Sequence, residues 1–363
     1  MAYHPSRRAV LAGAASTAVS VPARAQATLT PFKFGLANKS MSPTSAPFAL
    51  PEQLGYFRQE GLTVEVVPLG SDAALAAAVD QERLDAMVGV PSFLLPLLAR
   101  QHSSPFISYF EYTYPFKWAV AVKPGSPLRS LADLRDRTVG VSNLGTSDYA
   151  IGRKLLQMSG IDPDKGVSWL ATGEGVAAGR ALERGDVAAL IYYDTGFGTI
   201  EGAGIRLDYL PLPSDVPKVG GLYIATKATA LASRGDALAG FARAVAKADL
   251  FMQANPDAAA YILLSAFPEM APVGRSLREK IASVAVPLRK RNPILSNYDP
   301  TVTELGAISQ AEVAADLQFL GLSGQLSLDQ AWRTYSNALI PDINRFDREA
   351  VRRQAAAYAV PAG

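Results

Sequence analysis

Residues 138–158, TVGVSNLGTSDYAIGRKLLQM, decide the fold. Thr138–Val141 is short and rich in valine and threonine, which suits a buried strand, whereas Asp148–Met158 places apolar residues at helical spacing. Between them Ser142-Asn143-Leu144-Gly145-Thr146-Ser147-Asp148 is a loop of mostly small and polar residues. A strand that feeds a helix through such a loop is the unit of a parallel sheet, because parallel neighbours need a long crossover. The loop's N–H and hydroxyl groups then collect at the carboxyl end of the strand, where open α/β sheets bind ligands.

The alternation extends in both directions. Phe32–Ala37, Leu62–Leu69 and Asp85–Gly89 read as strands, followed in turn by helices at Pro47–Gln59, Asp72–Gln81 and Ser92–Arg100. The loops Asn38–Ser45, Gly70–Asp72 and Gly89–Ser92 are therefore further ligand positions. Downstream, Val167–Ala171 and Val187–Tyr192 read as strands and Gly175–Arg184 as a helix. The turn-rich Lys123-Pro124-Gly125-Ser126-Pro127 marks entry into this second unit, and the chain re-crosses near Lys218–Thr226 before continuing in helices. The prediction is an α/β protein of two lobes joined by a two-segment hinge: residues 28–123 with 221–363 form one lobe, residues 124–220 the other. A hinge beside a cleft implies closure around a ligand. In the helical C-terminal part, Phe241, Phe251, Phe319 and Trp332 are assigned to the core, and Arg289-Lys290-Arg291 to a solvated surface.

Composition narrows the function. With 363 residues, 49% hydrophobic and 19% charged, the chain can bury a sizeable core and is neither disordered nor fibrous. It has no cysteine, which removes disulfides, thiolate metal sites and thiol nucleophiles together. Of the two histidines, His4 falls in the leader, so any histidine-based centre would rest on His102 alone. No enzyme activity, metal or cofactor is expected. The formal charge of +2 includes Arg7, Arg8 and Arg24, and without these three it is −1. A near-neutral chain lacks the basic surface that nucleic acid or an anionic membrane attracts. Residues 1–25 read as a twin-arginine-like export signal: Arg7-Arg8, a weakly hydrophobic stretch from Ala12 to Val21, then Pro22 and Ala23-Arg24-Ala25. The aromatic residue usual two places after the arginine pair is missing, so export is read here without a choice between the twin-arginine and Sec routes. A periplasmic monomer is expected.

Several stretches resemble a known family. Leu54-Gly55-Tyr56-Phe57, Glu60–Val67, Glu82-Arg83-Leu84-Asp85-Ala86, Val122–Pro127, Ala181–Leu190 and Gly321–Tyr335 follow, in order, the pattern of periplasmic solute-binding proteins for nitrate, sulfonates, taurine and thiamine-precursor pyrimidines. The most specific match is Ser130-Leu131-Ala132-Asp133-Leu134-Arg135-Asp136-Arg137-Thr138-Val139-Gly140-Val141. The resemblance implies the type II periplasmic binding-protein fold, capture of a small solute, and delivery to the permease of an ATP-driven (ABC) importer. Related readings are a periplasmic sensor subunit and a type II-fold enzyme of thiamine-pyrimidine or menaquinone synthesis. The thiamine-pyrimidine enzymes call on a cysteine-rich motif that this chain lacks, and an export signal puts menaquinone synthesis in the wrong compartment.

Candidate ligand residues follow from the loops. Ser142, Asn143, Gly145 and Thr146 offer donors to an oxygen-rich group, although helix capping by Thr146 or Ser147 explains the same residues. Ser71 and Ser92 carry the same double reading. Asn38 and Lys39 follow the first strand, and Lys39 offers a cation to an anionic ligand. From Phe106 to Trp118, seven of thirteen residues are aromatic, and Tyr112, Tyr114, Phe116 and Trp118 share one face of an extended chain. Phe116 and Trp118 read as core, Tyr112 and Tyr114 as cleft walls, since a buried hydroxyl needs a partner. Asp72 and Asp148 suit helix starts, whereas Asp194, after Tyr192-Tyr193, is placed to meet an amine or ring N–H. Combined with Tyr112, Tyr114 and Tyr192 as ligand contacts, this favours an organic solute, aromatic, heterocyclic or bearing an amino or sulfonate group, over nitrate or another inorganic anion.

Overall fold

A computed structural model describes residues 28–295 and 303–361, so the segment read as an export signal lies outside the described residues. Among the described residues ten strands run in chain order as β1 (Thr30–Leu36), β2 (Leu62–Pro68), β3 (Ala86–Gly89), β4 (Phe106–Thr113), β5 (Trp118–Val122), β6 (Arg137–Val141), β7 (Val167–Ala171), β8 (Ala189–Tyr193), β9 (Asp208–Leu210) and β10 (Leu222–Lys227). They form two five-stranded sheets, ordered β2-β1-β3-β10-β4 and β7-β6-β8-β5-β9. Strands β2, β1 and β3 are parallel, as are β7, β6 and β8, while β10 in one sheet and β5 in the other run antiparallel to both neighbours. The two exceptions are the strands by which the chain enters a sheet directly from the other lobe, without a helical crossover to reverse it.

The crossing falls earlier than Lys123. Trp118–Val122 pairs with β8 and β9 in the second sheet, so the chain leaves the first sheet after Thr113. The single extended face expected from Tyr112 to Trp118 is therefore broken, with Tyr112 in one sheet and Trp118 in the other. The helix expected over Pro47–Gln59 is split into Ala46–Gln53 and Tyr56–Gln59 by Gly55, whose φ of 73° is left-handed.

The first lobe packs on aromatic rings. Phe32 and Phe34 point inward from β1 on either side of the exposed Lys33, and their rings lie 4.6 and 4.8 Å from that of Phe241. Burying each such ring contributes roughly 2 kcal/mol. Phe251 and Phe319 are buried as expected, but Trp332 is only partly so. In the second lobe Val120, Val139, Val141 and Ile191 meet Ile151 and Leu155 of the helix Ser147–Met158.

The lobes also meet away from the crossings. Helix Asp194–Gly202 of the second lobe lies against helix Leu277–Arg291, which packs on the first-lobe core. A Cβ on Gly198 would run into the backbone of Pro287, and one on Gly202 into the carbonyl of Ser283. Side-chain-free positions let the two backbones approach at this seam.

Candidate functional site

A cavity of about 120 Å³ lies between the sheets, at the carboxyl ends of their parallel strands. Each of the three first-lobe loops read from the sequence contributes to it: Asn38 and Thr44 from the first, Asp72 from the second and Val90 from the third. The second lobe supplies Ser142, Thr146 and Asp148 after β6, Glu174 after β7, and Tyr193 at the end of β8. Phe48, Tyr112, Trp118 and Tyr193 give it aromatic walls from both lobes.

Of the residues singled out by sequence, Asn38, Tyr112, Ser142 and Thr146 line this cavity. The others lie outside its wall. Ser71 caps its helix, accepting from the Ala74 amide at 3.2 Å, and Asn143 accepts from the Gly145 amide at 3.0 Å. Gly145 and Lys39 are exposed, and Ser92 sits inside helix Pro91–Gln101. The Tyr114 hydroxyl is buried and accepts from the Gly306 amide at 2.9 Å. Asp194 is taken up by Arg291, and Tyr192 turns away from the cavity, its hydroxyl accepting from Gly175 N at 3.1 Å and donating to Gly173 O at 3.3 Å.

The loop after β6 is organised by Asp148. Its carboxylate accepts from the Ser142 amide at 2.6 Å and from the Thr146 hydroxyl, which lies 3.0 Å from Ser142 Oγ. Much of the donor capacity expected to face a ligand is thus spent on Asp148 within the loop, while the Thr146 side chain makes no capping bond to the helix start.

Four wall residues were not legible as site residues. Arg291 belongs to the run read as solvated surface, yet its side chain is only 3% exposed. It ends its helix facing inward and grips Asp194 with Nε and Nη2, each at 2.6 Å. Lys117 is buried at the first crossing. Its Nζ donates to Gly220 O in the second crossing at 2.7 Å and stands 3.6 Å from the centre of a Trp118 ring. Burial, helped by the nearby Arg291 charge, pushes the Lys117 ammonium down to about 7. Burial likewise pushes Asp72 up to about 6, against the pull of Lys117. Glu174 is exposed at its loop tip, and its partial desolvation in the cleft raises it, while the Asn38 side chain from the opposite lobe favours its ionised form. Charge is therefore mixed, with three carboxyl groups against one buried amine and an arginine already paired.

Two lobes of parallel-centred α/β sheet, joined by two crossings with a lined cavity between them, define the type II periplasmic binding-protein fold, the fold of ABC-importer solute-binding components. The chain belongs to the NMT1/THI5-like family, whose model matches residues 42–259. It is 25% identical over 299 residues to the riboflavin-binding protein RibY of Chloroflexus aurantiacus, covering 82% of each chain. Among solved structures it is similar to the alkanesulfonate-binding protein SsuA of Xanthomonas axonopodis pv. citri bound to MOPS (TM-score 0.62, 15% identity, 84% of this chain and 98% of that one). It is also similar to the nitrate-binding protein NrtA of Synechocystis PCC 6803 (TM-score 0.59, 13% identity, 92% and 99%). The desulfurization enzyme DSZB shares the fold as well (TM-score 0.53, 15% identity, 86% and 98%). At these identities the structural likenesses show fold alone. Among the described residues no helix is long and apolar enough to cross a membrane.

Proposed function

We propose that this protein is the periplasmic solute-binding component of an ABC importer, and that its solute is a flat organic heterocycle carrying N–H donors. The observation that carries the reading is the cavity wall: aromatic faces from both lobes beside the carboxyl groups of Asp72, Asp148 and Glu174. Aromatic walls bury a planar body, and carboxylates accept from ring or amine N–H groups. An inorganic anion would meet these carboxyls with little to offset them, since Arg291 is held by Asp194. Riboflavin, the ligand named for the relative at 25% identity, is a member of the class. In this reading the solute is held noncovalently and handed unchanged to the permease, since aromatic faces and hydrogen-bonding carboxyls bind a planar body without a covalent step.

A second reading rests on Lys117, the cation on the cavity wall whose charge is not held by a carboxylate at salt-bridge distance, which would suit a sulfonate. Equilibrium titration of the ligand-stripped mature protein with riboflavin, thiamine, taurine and nitrate separates the two. Tight binding of a heterocycle that mass spectrometry then recovers unchanged supports the first. Binding of taurine or nitrate alone overturns it, and turnover of the bound compound moves the protein to the enzymes.

A further inference from the structure

The second-lobe wall of the cavity ends in a loop with an unusual backbone. Gly173 and Gly175 flank Glu174 with φ of 77° and 62°, a region that side chains avoid, so the glutamate is held at the tip of a double-glycine turn. The turn is strapped from behind. The buried Tyr192 hydroxyl accepts from Gly175 N and donates to Gly173 O, closing a bridge around Glu174. The Tyr192 ring is itself fixed, stacked at 4.6 Å on Tyr193 and filling the space that a Cβ on Gly196 would need. A tyrosine that looks like a ligand contact in the sequence thus acts on the residue beside it in space.

Glu174 points into the cavity toward the first lobe. Asn38 stands on the opposite wall, and both Asn38 and the neighbouring Lys39 favour the ionised glutamate. The other carboxyls are differently placed: Asp148 is engaged by Ser142 and Thr146, and Asp72 lies in the field of Lys117. Glu174 is therefore the second-lobe carboxylate of the cavity wall that faces Asn38 of the first lobe.

We infer that Glu174, positioned by the Tyr192 strap, is the recognition residue that couples lobe closure to an N–H donor: Asn38 satisfies it in the shut form, and the imide or amine N–H of a bound solute adds to that contact. The ligand half of this inference rests on the proposed function; the closure half does not. Tyr192 is a positioning residue in this scheme and does not touch the solute.

The absence of cysteine makes the test direct, because Glu52→Cys in the first lobe and Lys165→Cys in the second, both at exposed positions, accept a dye pair without background labelling. Single-molecule energy transfer then reads the open-to-closed ratio of the full mature chain. Glu174→Ala and Asn38→Ala are each expected to shift that ratio toward open by about tenfold, the factor of a charge-assisted hydrogen bond, and the double variant to shift it no further. In the binding arm, wild type is expected to prefer riboflavin over its N3-methyl derivative, which lacks the imide N–H. Glu174→Ala should remove the preference, Tyr192→Phe should weaken it while keeping the ring, and Glu174→Gln should retain part of it. If Glu174→Ala leaves both the ratio and the preference within twofold of wild type, the inference is overturned. If no probe binds wild type but the lobes still open in Glu174→Ala, the closure half is upheld and the proposed function fails instead.

Discussion

Arg291 and Asp194 form a two-pronged, buried ion pair that joins the lobes: Nε and Nη2 of the arginine each lie 2.6 Å from a carboxylate oxygen, between residues 97 positions apart in the chain. Burial works against the arginine's charge, and the Asp194 carboxylate reverses that effect and raises its pKa. Thr113 Oγ1 accepts from Nη1 at 3.1 Å, which ties the same guanidinium to the end of β4. The seam between the helices is thus held by charge at one end and by glycine contact along its length.

Removing one partner leaves the other as an uncompensated buried charge. Arg291→Met and Asp194→Asn should each cost about 3 kcal/mol, and the double variant less than their sum. Urea denaturation of the four proteins at neutral pH gives the coupling, and strict additivity would refute a direct pair.

At Gly198 two effects have opposite signs. In a free helix, alanine is favoured over glycine by about 1 kcal/mol, but here a Cβ meets the Pro287 backbone. Gly198→Ala is therefore expected to destabilise by about 1–3 kcal/mol, as overpacking does. A rise in melting temperature would show that the helices are not in backbone contact.

Asp316 accepts from the Gly220 amide at 2.8 Å in the second crossing, and burial pushes its carboxyl up to about 7 from 3.8. Between these values the folded protein binds a proton that the unfolded chain has released. Stability should therefore fall as pH rises from about 4 to 7, by up to about 1.4 kcal/mol per pH unit from this group. Asp316→Asn keeps an acceptor for Gly220 and should flatten the slope. Lys117, pushed down from 10.5 to about 7, acts with the opposite sign above neutrality, since there the unfolded chain holds the extra proton. Lys117→Met should remove the gain in stability between pH 7 and 10.

Of the three tryptophans, Trp118 lines the cavity, while Trp169 and Trp332 do not. Solute binding should change intrinsic fluorescence through Trp118, and Trp118→Phe should abolish the change while lowering affinity by about tenfold, the worth of one aromatic contact. A signal that survives in Trp118→Phe would place the solute elsewhere.

Much of this protein is written locally. The strand at Thr138–Val141, the polar loop after it and the helix that follows are set by residue spacing a few positions apart, and the parallel α/β architecture follows from repeating that unit. The loops at strand ends were legible as ligand positions for the same reason, and Asn38, Ser142 and Thr146, read from them, line the cavity, as does Tyr112, read from the aromatic run. Tertiary structure decided what periodicity cannot carry. Arg291 sits in a basic run that any local reading places in water, and only the packing of its helix on the far lobe turns it inward onto Asp194. Tyr192 and Tyr193 are adjacent in sequence and their rings stack, yet one hydroxyl braces the Glu174 turn while the other residue lines the cavity. A side chain's partner across a cleft depends on where two distant segments come to rest, and that depends on the sum of all the packing between them rather than on either neighbourhood alone.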